Sequence, residues 1–317
     1  MLTNSCPPEL YAKLMQALKE ENEEYESLLR SKEYKTGSVI TRMKNTVKKA
    51  DYASMVRFVK AMHPGKEYTA YDVSRKPEEY PEMPISPGEY FSDERIAVYT
   101  CVLGHYDHIQ EPAYQPDNVD YYIITDQELP ADSHWQKISA DALCEEGWTV
   151  SEKNRYCKMH PDRLFPDYRY SVYVDGNIKI ISDLTPYVYR IGACGIAMHH
   201  HARRNCAYDE LKAVQAIGKL DAQSAENYRR YLEAMQFPRQ YGLAEGNVIV
   251  REHHNETCRK VMRLWWRQFR NRISRDQVSL PLVLYKLGIP MEEITTLGYD
   301  VYHNRSFRVA DHIHKNE

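Results

Sequence analysis

Residues 95–107 read RIAVYTCVLGHYD, and the fold follows from how that stretch is interpreted. Ile96 to Leu103 is an almost unbroken apolar run rich in β-branched side chains, the pattern of a strand buried on both faces of a parallel sheet. Gly104 stops it, and His105-Tyr106-Asp107 follow as a polar tip. The same form recurs twice. Val119 to Thr125 ends at Asp126, and Tyr170 to Val174 ends at Asp175-Gly176-Asn177 before the chain resumes at Ile178 to Ile181. Helical periodicity occupies roughly 151–160, 205–217, 221–236, 256–272 and 275–287. Strands alternating with helices predict an α/β domain with a mostly parallel, Rossmann-type sheet flanked by helices. Ligands of such sheets sit beyond the carboxyl ends of the strands, where the three polar tips are expected.

Upstream the texture differs. Pro7 and Pro8 suit a first helical turn, and Tyr11, Met15, Leu18, Asn22, Tyr25 and Leu29 recur at heptad-like spacing with one polar member, as in a packed or dimerising helix. A second helix is expected after Asp51, stopping at His63-Pro64-Gly65. Residues 1–64 therefore read as an N-terminal helical region able to serve oligomerisation. Residues 65–94, with Pro77, Pro81, Pro84 and Pro87 among charges, read as a connector, and 95–317 as the α/β domain. The 42 Lys and Arg against 45 Asp and Glu leave a net charge of −3, which argues against a nucleic-acid partner. No stretch approaches the ~18 apolar residues of a membrane helix, and the N-terminus lacks a secretory pattern. Seven scattered cysteines fit reduced thiols in a cytoplasm. The 26 Tyr against 6 Phe favour surfaces that pair a ring with a hydrogen-bonding tip.

Several clusters carry chemistry. Asp175 and Asn177, two apart, place a carboxylate and an amide oxygen on one side of an extended chain. That pair suits Mn²⁺ or Mg²⁺, while Asp-Gly-Asn between strands also reads as a hairpin turn. Arg155 and Lys158, three apart, share a helix face and can reach one diphosphate, or form a solvated face. His199, His200 and His201 are consecutive, so they cannot all ligate one metal. With Arg203 they form either a polar loop lining an acceptor cleft or a loop without a role. Arg251 to Arg275 holds seven Arg and Lys260 against Glu252 and Glu256; with Trp265 and Trp266 it reads as a basic helix face over buried tryptophans. Ser274 can cap the next helix, whose first turn places Asp276 and Gln277 in the favourable end of the dipole.

In order, Arg95–Thr100 with Gly104–Asp107, Asp120–Asp126, Arg155-x-x-Lys158, Tyr173–Ile178, Gly246–Arg251 and Ser274–Ser279 resemble the TOD/MUCI-type glycosyltransferase-like domain family over about residues 93–285. The resemblance implies a GT-A-like fold acting on a nucleotide-sugar donor with Mn²⁺ or Mg²⁺. It implies nucleoside contacts from Thr100, Gly104, Tyr106 and Asp126, and donor phosphates on Arg155 and Lys158. Metal ligation falls to Asp175 and Asn177, with Asn177 replacing the second Asp of the general pattern, and a C-terminal histidine is added, His312 from among His303, His312 and His314. Asp276 and Gln277 take the position that holds the donor sugar or serves as base. The expectation is a cytoplasmic, metal-assisted glycosyltransferase of bacterial surface-polysaccharide assembly, acting on a carbohydrate acceptor. The rival is a catalytically silent nucleotide- or sugar-binding module that recruits a partner enzyme.

Overall fold

The computed structural model describes residues 94–140, 143–298 and 300–312. The proposed N-terminal helices, the connector and His314 lie outside them. Within them the expected α/β class is present. The strands are β1 (Ile96–Val102), β2 (Val119–Thr125), β3 (Gln136–Ile138), β4 (Tyr170–Val174), β5 (Ile178–Ile180), β6 (Ile196–His200), β7 (Ala244–Glu252) and β8 (Phe307–Val309). The helices are α1 (Val150–Met159), α2 (Pro161–Leu164), α3 (Ala207–Ala216), α4 (Ala222–Ala234), α5 (Glu256–Asn271) and α6 (Asp276–Leu287), with a 3₁₀ turn at Thr185–Arg190.

Six strands form one sheet in the order β3-β2-β1-β4-β7-β6. The first four are parallel, and β7 runs antiparallel to both neighbours. Every residue of β1 is buried, as its apolar run requires. Ala97, Tyr99 and Cys101 face a layer built with α1, α5 and α6, whereas Ile96, Val98 and Val102 face a second layer closed by Leu184, Val188 and Phe307. The helix α5 buries Cys258, Val261, Met262, Trp265 and Phe269 on one stripe, each large side chain stabilising the fold by roughly 1.5–3 kcal/mol. Arg263, Arg267 and Arg270 face solvent on the other side, as read.

Three expectations are corrected. Asp175-Gly176-Asn177 is not a β4–β5 hairpin. The turn closes from Ile178 N–H to the Asp175 carbonyl, and β5 then leaves to pair with β8 in a separate two-stranded sheet. Residues 198–200 are not loop but the end of β6, with a bulge between Met198 and His199. Ser274 does not cap α6, whose N-cap is Arg275 without a side-chain cap bond.

A buried arginine holds α1 in place. Arg251 on β7 is fully buried; its Nη1 donates to the Lys158 carbonyl at 2.6 Å and its Nη2 to the Tyr99 hydroxyl at 2.6 Å. The Tyr99 hydroxyl in turn donates toward the Cys157 and Lys158 carbonyls at 3.1 and 3.2 Å. A cation thus meets the negative end of the helix dipole and satisfies terminal carbonyls that lack helical donors. At the other end Thr149 and Glu152 form a reciprocal capping box. Replacing Arg251 by Met should lower the unfolding free energy by about 2 kcal/mol, since buried acceptors lose their donors. The measurement is the urea midpoint at unchanged slope; an unmoved midpoint would mean that α1 is held without this residue.

Candidate functional site at the carboxyl rim of the sheet

The carboxyl ends of β1, β2 and β4 converge with the start of β7 and the first turn of α6. At the centre lies Lys158, in the last turn of α1 and 1% exposed. Its Nζ donates to Asp276 Oδ2 at 2.7 Å and lies 3.6 Å from Asp175 Oδ1 and 5.2 Å from the centre of the Tyr173 ring. Arg155, one turn earlier, places Nε 3.0 Å from the same Asp276 oxygen. A side chain at Gly246 on β7 would put its Cβ 3.0 Å from Lys158 Nζ and 3.4 Å from Asp276 Oδ2, so glycine leaves the room this cluster occupies. Burial works against ionisation of Asp276, but Arg155 and then Lys158 outweigh it and hold the carboxyl well below its ordinary range. Arg155 loses some stability to burial and regains more from Asp276 and Asp175, so it stays a cation. A carboxylate so firmly paired is a poor proton acceptor and a good anchor for two cations. Gln277 beside it is partly exposed.

Asp175 follows β4 with its side chain one-third exposed. Its Oδ1 accepts from the Tyr173 hydroxyl at 2.9 Å, and its backbone N–H donates to the Asn247 carbonyl at 2.8 Å. Asn177 is tied to the C-terminal segment: its Nδ2 donates to the Ala310 carbonyl at 3.0 Å, and its own carbonyl accepts from Ala310 N–H at 2.7 Å. His312, two residues on, pairs through Nδ1 with Asp107 Oδ1 at 2.6 Å and packs against Tyr106 at 5.0 Å. A Cβ on Gly176 would meet Val102 Cγ2 at 2.6 Å and Asp107 Oδ2 at 3.2 Å, which shows how closely the turn approaches the β1 tip. Among the described residues no group of three or more His, Cys, Asp and Glu is gathered to hold a metal ion. With Asn177 counted, the remaining donor atoms are Asp175 Oδ2, Asn177 Oδ1 and His312 Nε2. That oxygen-rich set with one oriented imidazole fits Mn²⁺ or Mg²⁺ in kind.

The residues expected to contact a nucleoside divide. Gly104, in the left-handed region at φ 68°, donates its N–H to Asp126 Oδ2 at 2.8 Å, joining two strand tips. Tyr106 is 53% exposed beside them. Thr100 is not at this rim; it lies inside β1, buried, its hydroxyl without a partner. Of the residues expected on the acceptor side, His199 is fully buried and held by Asn304 at 3.0 Å, so it faces the core rather than a cleft. His200 and Arg203 are partly exposed.

Two polar residues, Glu245 and Asp300, were not singled out from sequence. Glu245, at the start of β7, accepts from Ala202 N–H at 3.2 Å and Asn247 Nδ2 at 3.0 Å, tying the loop after β6 to the rim. Burial first, then the nearby Asp300, raises its carboxyl above the ordinary range. Asp300 holds His303 Nδ1 at 2.7 Å. The Ala-Glu-Gly-Asn spacing at 244–247 alone carries no signal for either role.

A family model for the TOD1/MUCI70 glycosyltransferase-like domain matches residues 18–312. The chain belongs to that family. It is 26% identical over 264 residues to the probable hexosyltransferase MUCI70 of Arabidopsis thaliana, a match covering 73% of this chain and 42% of that protein; the chain thus spans under half the relative's length. Among solved structures it is similar to the bifunctional glycosyltransferase WbbM, at 12% identity and a TM-score of 0.40 over 68% of this chain and 40% of that one. It is also similar to mouse xyloside xylosyltransferase 1, at 7% identity and a TM-score of 0.40 over 65% of this chain and 84% of the other.

The loop after β6 generates a pH prediction. Burial pushes His199, His200 and His201 down to about 4, and His201 Nδ1 accepts from Arg203 and Arg204 N–H at 3.2 and 3.1 Å, which requires that nitrogen unprotonated. Folded values below the ordinary 6.5 mean stability that is present above 6.5 and lost as pH falls toward about 4. Each imidazole contributes up to about 1.4 kcal/mol per pH unit. Glu245 acts in the opposite sense, one carboxyl against three imidazoles. Urea unfolding across that window should show a steep loss, partly flattened in His201→Gln; a flat profile would contradict it.

Proposed function

We propose that this domain is a metal-assisted glycosyltransferase that moves a sugar, a hexose on the analogy of its plant relative, from a nucleotide-diphosphate donor to a carbohydrate acceptor. The supporting observation is the Lys158–Asp276–Arg155 cluster beside the Asp175–Asn177 turn, at the end of the sheet where α/β proteins take ligands. Cleavage of the donor's glycosidic bond leaves the diphosphate with the bonding electrons. Arg155 and Lys158, held by Asp276, stand ready for that developing charge without rearranging, the efficient form of electrostatic stabilisation. A divalent cation held by Asp175, Asn177 and His312 would add Lewis-acid neutralisation of the same oxygens. Asp107 fixes the His312 ring, Gly104 and Asp126 shape the strand tips, and Tyr106 offers a face for the nucleoside. His200, Arg203 and Gln277 are the acceptor- and sugar-side candidates. Surface-polysaccharide assembly in a bacterial cytoplasm is the setting of this reading, and the acceptors taken up in a transfer assay are its readout.

Two substitutions separate chemistry from architecture. Asp175→Ala should cut sugar transfer by about 10²–10³-fold while leaving the thermal midpoint unchanged, because that carboxylate is partly solvated and not the main partner of Lys158. Asp276→Asn should lose transfer and also about 3 kcal/mol of stability, since it leaves buried cations without their counter-ion. Near-normal turnover in Asp175→Ala, assayed with Mn²⁺ and a panel of nucleotide sugars, would end the metal assignment. Nucleotide affinity without turnover in the unaltered chain would instead favour a binding module.

A further inference from the structure

Two further cations, given no role in the sequence reading, stand around the same cluster. Arg275, the N-cap of α6, donates through Nη2 to the Lys219 carbonyl in the turn between α3 and α4. Its Nε is buried without a hydrogen-bond partner, and Asp276, Arg155, Tyr106 and Glu210 lie within its electrostatic reach. Lys219 has Arg275, Arg155, Glu210 and Asp276 as its charged neighbours, and its ammonium forms no hydrogen bond or ion pair among the described residues. Glu210 does not neutralise them, being engaged by Arg204 Nη1 at 2.9 Å and His201 Nε2 at 3.4 Å.

Four cations, Arg155, Lys158, Lys219 and Arg275, therefore face two carboxylates, Asp276 and Asp175. Lys219 is an exposed residue, and desolvation by its surroundings and then the guanidinium charges of Arg275 and Arg155 lower its ammonium below its ordinary value; partial burial and Arg155 do the same to Arg275, against the pull of Asp276. With Arg155 and Lys158 sharing one Asp276 oxygen and the buried Arg275 Nε beside them unpartnered, the group suits an anion that brings about two charges and several acceptor oxygens, which is the chemistry of a diphosphate. Tyr106 joins this group to the turn, since Arg155, Arg275 and Asp175 all lie within its electrostatic reach. Asn177 in place of a second metal-binding carboxylate points the same way: less of the neutralising charge is left to an added cation and more to the chain.

We propose that Lys219 and Arg275 complete, with Arg155 and Lys158, a cationic cradle that binds the diphosphate of a nucleoside diphosphate directly, without a divalent cation to bridge it. The inference rests on the transfer reading above: it assigns binding of the diphosphate to these four cations and leaves to the divalent cation of that reading its part in bond cleavage.

The test is calorimetric titration of the full chain with UDP, GDP, ADP, CDP and dTDP, in EDTA and then with Mn²⁺. At least one probe should bind in EDTA, and its affinity should fall with added salt. Lys219→Ala and Arg275→Gln should each weaken that binding about tenfold, the value of a charged hydrogen bond, with no change in binding of the parent nucleoside. Arg275→Gln also breaks the bond to the Lys219 carbonyl, so a lowered thermal midpoint there transfers the decision to Lys219→Ala, which removes no contact. Binding in EDTA that both variants retain in full would overturn the proposal. So would binding that needs Mn²⁺ and is lost in Asp175→Ala but kept in Lys219→Ala, an outcome that leaves the transfer reading standing. Failure of every probe in both conditions overturns both.

Discussion

An ammonium group sealed from solvent demands compensation, and Lys158 obtains it from one short ion pair with Asp276, a longer approach to Asp175 and the face of Tyr173. Desolvation alone would make such a lysine costly. The surrounding structure is arranged to meet that cost: Gly246 leaves the space, Arg251 and Tyr99 fix the end of the helix that carries Lys158, and Trp265 donates to the Asp276 carbonyl at 2.9 Å. Four different elements, α1, β4, β7 and α6, thus meet on one charge. Their relative placement is the geometry on which any ligand at this rim depends.

Much of the scaffold was legible because its signals are local. The runs 96–103, 119–125 and 170–174 are short, apolar and end in turn residues, and each is a strand of the central sheet. The five helical stretches were each placed within a residue or two. The strands β3, β6, β7 and β8 were not read as strands. The β7 segment opens with Ala-Glu-Gly-Asn, whose polar and flexible residues mask a strand, and β8 is three residues whose partner lies over a hundred positions away. Pairing of that kind is decided by tertiary closure, which no window of sequence contains.

The candidate site shows the same division. Strand-end chemistry drew attention to Asp126, Asp175 and the Arg155–Lys158 pair, and these do gather at one rim. What sequence could not supply is who faces whom. Asp276 meets Lys158 across 118 positions, and Asp107 meets His312 across 205. Those pairings recast Asp276 from a free acid or base into an anchor for cations. They also separate His199, sealed in the core by Asn304, from its more exposed neighbours. Thr100 lies two residues before the end of β1 and is buried there, a depth within the strand that its sequence run does not disclose.

The final described residues, 307–312, bring β8 to β5, clasp Asn177 through Ala310 and deliver His312 to Asp107. The turn beyond β4 is therefore finished by residues some 133 positions downstream of it. During synthesis the sheet can assemble around β1 and β4 while this clasp is still inside or just leaving the ribosome, since domains form progressively as the chain emerges. A product truncated before residue 307 would carry a folded core and an unfinished pocket, so competence to grip a ligand would arise when this clasp is added rather than at collapse.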